Sequence, residues 1–254
     1  MNSLLSWMGQ RLARYLAREV HVHHIAPPTP CAVLQQVLQP GDVLLVEGNS
    51  RISSAVKYLT QSTWSHAALY VGSHLGEAGG NAAHCFVDAD TVLGVRSVGI
   101  DAFADLHTRI CRPVGLTERE RRALTAHVIA QIGNRYDLRN VIDLARYLFP
   151  TPPVPARFRR QLLSMGSGDP TRAICSTLIA KAFESIHYPI LPLRELQDAD
   201  RPECPGCVDE VLRVRHHSLY APRDFDVSPY FQVVKPTLLR GFNYRSLRWV
   251  AVSA

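Results

Sequence analysis

Three residue types that cooperate in nucleophilic catalysis stand well apart in this chain: His66, Asp88 and Cys175. A thiol is a weak nucleophile until it loses its proton. A catalytic cysteine therefore requires a base within hydrogen-bond reach and a third polar group to hold that base. His66 opens the apolar run HAALYVG, where a valine or threonine would suit a core strand better. The run HCFVDAD follows, with Asp88 and Asp90 on one face of an extended chain. Either carboxylate could fix the imidazole tautomer and leave the other ring nitrogen for a thiol. Cys175 follows the loop-like GSGDPTRA and precedes the helical pattern STLIAKAFESI. That predicts a place in the first turn of a helix, where free N–H groups and the helix dipole favour a thiolate. Spacing permits this His–Asp–Cys set without establishing it. Taken singly, Cys175 also reads as a small buried hydrophobe beside Leu178 and Ile179, and His66 as a hydrogen-bonded structural residue.

The elements that must position these residues follow from periodicity and breakers. Residues 1–30 form an N-terminal unit. Leu4, Leu5, Met8, Leu12, Tyr15 and Leu16 recur at helical spacing, Arg11, Arg14 and Arg18 fall elsewhere on the wheel, and the linker APPTP follows. Residues 31–254 are expected to form one domain. A short helical pattern and PGDVLLVEG lead into a buried strand at Val43–Val46, then a helix over residues 51–60 and the His66 strand. Further short strands at 84–89, 94–98 and 109–114 predict an antiparallel meander. Thr117 and Glu120 make a capping box for a helix that Gly133 is placed to end. A second helix is expected at 138–148, a Pro-rich basic insertion near 149–161, a helix over 175–185, and two closing strands in YFQVVKP and YRSLRWVAVS. The fold class is α+β, with an antiparallel sheet packed against helices.

Composition narrows the partners. With 46% hydrophobic and 20% charged residues the chain is globular. A net charge of +6 suits anionic partners, but the cations are scattered and no aromatic-interleaved nucleic-acid signature is present, so no nucleic acid is expected. No apolar window is long enough for a membrane span, and the N-terminus is a poor signal peptide, interrupted by Gln10, Arg11 and Arg14. The N-terminal helix could still lie on a membrane surface. Six spread cysteines without an export signal read as reduced thiols in the cytosol. A rival site exists in RPECPGCVDEVLRVRHHSL: Cys204 and Cys207 have a zinc or redox spacing, and His216 and His217 could complete a ligand set.

The order of motifs adds a resemblance. PGDVLLVEGNSRISSAVKYLTQSTWSHAALYVG resembles the opening of the circularly permuted papain-like hydrolases of the YaeF/YiiX type, in the NlpC superfamily. FVDADTVLGVRSVGIDAF, IGNRYDLRNVIDL, AICSTLIAKAFESIHYPILP and LYAPRDFDVSPYFQVV follow in the family's order, so the likeness spans roughly residues 40–235. It implies a permuted papain-like fold with Cys175 as nucleophile at a helix N-terminus and His66 as base. The third polar residue, often Glu in this subgroup, falls on Asp88, with Asp90 as fallback. The Tyr136–Asp137 pair matches a family YD that lines the site. The implied activity is a thiol hydrolase or acyltransferase acting on an amide or ester carbonyl of a lipid, peptide or cell-wall-like substrate, with no cofactor; lecithin retinol acyltransferase is a relative that moves acyl chains between lipids. Two other readings stand beside it: an inactive papain-like binding module, and a zinc or thiol-redox protein using Cys204 and Cys207.

Overall fold

The computed structural model describes Tyr15, Arg18, Glu19 and residues 26–90, 93–134, 174–198, 208–239 and 241–246. In chain order these form α1 (Cys31–Val37), β1 (Val43–Glu47), α2 (Arg51–Thr60), β2 (His66–Tyr70), α3 (His74–Glu77), β3 (Phe86–Asp90), β4 (Gly94–Val98) and a 3-10 turn at Ile100–Phe103. Then come β5 (His107–Pro113), α4 (Glu118–Ile129), α5 (Ile174–Ser185), β6 (Leu193–Asp198), β7 (Val208–Arg213), α6 (Pro222–Asp226), β8 (Phe231–Val234) and α7 (Pro236–Leu239). The second helix expected at 138–148, the insertion near 149–161 and most of the N-terminal helix lie outside the described residues. Of the last expected strand, Tyr244–Ser246 is a 3-10 turn instead.

Six strands make an antiparallel sheet in the order β4-β3-β2-β1-β5-β8. The expected meander holds from β1 to β4. β5 departs from it: the chain crosses back through the 3-10 turn and pairs β5 with the far side of β1. That makes β1 central, and all five of its residues are buried. Val43 and Leu45 face a core with Ala67, Leu69, Val87 and helix α5, while Leu44 and Val46 face another with Ala68, Phe86, Ile110 and Leu34 of α1. A strand covered on both faces gains from apolar residues at every position, which is why VLLV shows no alternation.

Local chemistry explains the helices that flank the site. Ser50 caps α2 by accepting from Ser53 N–H, and Thr117 and Glu120 close a reciprocal capping box on α4. α5 lays Leu178, Ile179, Ala182 and Phe183 on β2 and β3. β6 and β7 form a separate two-stranded ribbon that the sequence reading did not anticipate. Its cross-strand ion pairs, Arg194–Glu210 and Arg213–Glu195, both at 2.6 Å, stand where an apolar alternation would have signalled strands.

Candidate functional site

β2 is laddered to β1 along its whole length, Val46 facing His66 at the end. Its described ladder with β3 is shorter and covers only Leu69 opposite Val87 and Tyr70 opposite Phe86. The two strands have therefore parted where β2 begins. Tyr70 N–H bonds to Asp42 O on the β1 side, so period-two alternation turns the Ala67 N–H toward β3. Cys175, second residue of α5 and 5% exposed, comes into this gap, and its sulfur accepts from Ala67 N–H.

His66 lies between the thiol and a carboxylate. Its Nε2 is 3.2 Å from Asp88 Oδ2, and the same imidazole is hydrogen-bonded to the Cys175 side chain. With Nε2 turned to Asp88, Nδ1 is the nitrogen left for the sulfur. Asp88 is itself held by a residue that the sequence reading missed. Arg96 sits directly opposite it in the β3–β4 hairpin, donating Nε to Oδ1 at 2.9 Å and Nη2 to Oδ2 at 3.4 Å. The hairpin pairs Asp90 with Gly94, and that register puts Arg96 across from Asp88; the sequence marks the turn but not which residues pair across it. Asp90 accepts from Leu93 N–H and lies 3.5 Å from Arg96 Nη2.

The electrostatics of the three groups agree. Burial alone would lower the His66 imidazole, but the Cys175 and Asp88 charges and hydrogen bonds outweigh it and push its pKa up to about 10. Burial would likewise raise the Cys175 thiol. The His66 charge and hydrogen bond, the Ala67 N–H and Ser176 bring it below its ordinary value instead. The two shifts are two sides of one interaction, in which each charge favours the other. Burial would raise Asp88 too, and its bonds to His66 and Arg96 hold it below the usual carboxylate range. The other buried thiol among the described residues behaves oppositely: burial drives Cys111 up to about 12.

A second acid–imidazole pair occupies the same end of the sheet. Glu47 and His107 face each other across β1 and β5, with Glu47 Oε2 3.0 Å from His107 Nδ1. Lys57 Nζ lies 3.6 Å from the other Glu47 oxygen, and Trp64 packs against the His107 ring, tilted by 46° with centroids 5.0 Å apart. Trp64 Nε1 donates to Asp226, and Arg109, lying over the indole, bonds both Asp226 oxygens.

The remaining sequence candidates stand apart. Tyr136, Asp137, Cys204 and Cys207 lie outside the described residues. His216 and His217 have rings 3.9 Å from each other; His216 Nδ1 meets Ser218 Oγ and His217 Nδ1 meets Glu184. Among the described residues no group of three or more His, Cys, Asp or Glu could hold a metal ion.

Residues 37–148 match the model of a family described as permuted papain-like amidase enzymes, YaeF/YiiX, C92 family. That stretch, somewhat under half of the chain, resembles the YaeF/YiiX family. His66 and Asp88 fall within the matched stretch and Cys175 beyond it. The match fits the α+β architecture described above to the permuted papain-like class and supports a cysteine-hydrolase type of function. Comparison with solved structures finds a metalloprotein, yiiX, of Escherichia coli O157:H7, 14% identical, with 78% of this chain and 96% of that one covered and a TM-score of 0.44. No curated protein matches the chain.

Proposed function

We propose that the chain is a cysteine amidase or related acyl-transferring hydrolase with Cys175 as nucleophile, His66 as base and acid, and Asp88 as the residue that orients His66. The observation that carries this reading is the single imidazole bonded to a buried carboxylate on one side and a buried thiol on the other. The Cys175 thiolate attacks the carbonyl carbon of an amide or ester. The His66 imidazolium gives its proton to the departing amine or alcohol as the C–N or C–O bond breaks, leaving a thioester on Cys175. His66, now neutral, takes a proton from water, or from an alcohol or amine acceptor. That oxygen or nitrogen attacks the thioester, and the Cys175 sulfur leaves as thiolate. Backbone N–H groups in the first turn of a helix suit the oxyanion of both tetrahedral intermediates, and Cys175 supplies one from its own main chain. Asp88 keeps its charge throughout and stabilises the imidazolium, and Arg96 keeps the carboxylate aimed.

The test is intact-mass analysis after brief exposure to activated acyl esters and acyl amides of varied chain length. An acyl adduct that maps to Cys175, hydrolyses with time and is absent in Cys175→Ser is the expected result. Adduct formation that survives Cys175→Ser, or maps to Cys204 or Cys207, contradicts the assignment and supports the thiol-redox alternative.

A further inference from the structure

The ribbon of β6 and β7 and the residues at its base expose Leu193, Leu196, Leu212 and Val214. Among the described strands the ribbon is hydrogen-bonded only to itself. A lone pair of strands is marginal in water unless something covers one face. The register sorts its side chains: Arg194 stands opposite Leu212 and Leu196 opposite Glu210, all four on one face. Leu196 is 73% exposed and Leu212 47%, and the ion pair Arg194–Glu210 crosses between them. Continued one residue past the ladder, the same face reaches Pro192 and Val214. These two line a pocket at the base of the ribbon, walled also by Tyr188, Ile190 and Tyr220. It opens about 300 Å³ of space, at the lower limit for a small-molecule site and enough for one aliphatic side chain.

One face therefore carries an apolar knob, Leu196, and an apolar hole four residues back along the chain, roughly 13 Å away. A two-fold axis between them places each copy's knob in the other's hole at once, the self-complementarity that an isologous contact requires. Charge agrees. The cation and carboxylate between knob and hole, Arg194 and Glu210, are already bridged to each other, so two copies meet with both signs in equal number. At the rim, His217 lies 3.1 Å from Glu184 and Arg215 3.8 Å from Asp224. Residues 193–213 as a whole carry Arg194, Arg201 and Arg213 against Glu195, Asp198, Asp200, Glu203, Asp209 and Glu210. That excess of acid disfavours an anionic bilayer, and a basic partner laid on this face would meet Arg194.

We propose that this face is where two copies of the chain meet, Leu196 of each seated against Pro192 and Val214 of the other. The pocket abuts α5 at Ala180 and Glu184, whereas Cys175 is in the first turn of that helix, so the contact leaves the thiol uncovered. The surface is independent of the catalytic reading.

The test is sedimentation velocity of the full chain from about 1 to about 300 μM at roughly 0.15 M salt. A contact this small, well under the about 800 Å² per partner of a standard interface, predicts a reversible dimer with a dissociation constant on the order of tens of micromolar. Leu196→Asp is expected to weaken it at least about thirtyfold, because symmetry removes the contact twice. Leu93→Asp, at a similarly exposed leucine in the β3–β4 turn, is expected to change nothing. Leu196→Asp combined with Val214→Lys is expected to restore part of the dimer, a rescue that a merely disturbed ribbon would not show. Raising salt to about 0.5 M is expected to leave the dimer as tight or tighter, since the copies carry like net charge. Cys175→Ala is expected to dimerise as wild type does, so a failure of the catalytic reading leaves the result standing. A monomer across the whole range overturns the proposal. So does a dimer that Leu196→Asp leaves intact, or one that Leu93→Asp dissolves equally. A dimer that salt dissociates also overturns it, and would set the acidic ribbon on a basic surface of the other copy instead.

Discussion

Two buried acid–imidazole pairs share one end of this sheet, and among the described residues only one of them meets a thiol. Asp88 and His66 span β3 and β2; Glu47 and His107 span β1 and β5. In the second pair the residues stand directly opposite each other in a continuous ladder, and the cluster is closed by Lys57 against the carboxylate and Trp64 against the ring. In the first pair the ladder between the strands has stopped, and the gap admits the start of α5 with Cys175. His66 keeps 25% of its side chain exposed, against 16% for His107. A carboxylate–histidine contact is therefore no mark of catalysis in itself. The interruption of the sheet, which frees the Ala67 N–H and makes room for a helix start, separates the arrangement proposed to be reactive from the structural one.

That contrast can be broken by substitution. The largest effect is expected at the reactive pair: Cys175→Ser abolishes acyl-adduct formation, a loss of about a thousandfold or more in a turnover assay once a substrate is known. Asp88→Asn is expected to slow Cys175 alkylation near neutral pH about tenfold or more, because the neutral amide no longer stabilises the imidazolium. At the other pair the signs reverse. His107→Ala leaves Glu47 buried with a lost partner and is expected to destabilise the fold by about 1–3 kcal/mol in urea unfolding, while Cys175 alkylation stays within about twofold of wild type. Loss of alkylation in His107→Ala with stability intact would erase the distinction between the two pairs.

The smallest effect is in the pH dependence of stability. A raised His66 contributes stability that is complete below its ordinary value of 6.5 and is lost as pH climbs through about 10. A lowered Cys175 contributes stability that is complete above its ordinary value of 9.0 and is lost as pH falls through the depressed one. From the depressed Cys175 value, or from 6.5 where that value lies lower, up to 9.0, the two changes have opposite slopes and cancel, since the folded pair and the unfolded pair each hold one proton. The pair's contribution, read as wild type minus a His66→Ala, Cys175→Ala double variant, is therefore expected to be flat across that window and to decline on either side. A steady slope across the window would mean that thiol and imidazole titrate independently.

Much of this was legible in the sequence where local chemistry decides. The helix at 51–60, the capping box of Thr117 and Glu120, and the buried run Val43–Val46 are all local patterns, and the structure has them at those residues. What tertiary pairing decides was not legible. Nothing in the residues around 107–113 says that β5 lies beside β1 rather than β4. The β6–β7 ribbon escaped because Leu193-Arg-Glu-Leu196 repeats at helical spacing while charged cross-strand pairs do the holding. At the candidate site, His66, Asp88 and Cys175 could be named from residue type and order. Arg96 needed the hairpin register, and the Glu47–His107 pair needed the β1–β5 register, which a linear reading does not contain.

The most direct test of the central claim is the pH dependence of iodoacetamide labelling at each cysteine, by peptide mass spectrometry, in wild type and His66→Ala. A thiolate paired with imidazolium predicts that Cys175 labels fastest, keeps its rate well below pH 8.5, and loses about a hundredfold near pH 6.5 when His66 is removed, while Cys111 stays inert in both proteins. A Cys175 that labels only as pH rises through the ordinary thiol range, with the same profile in His66→Ala, would contradict the account.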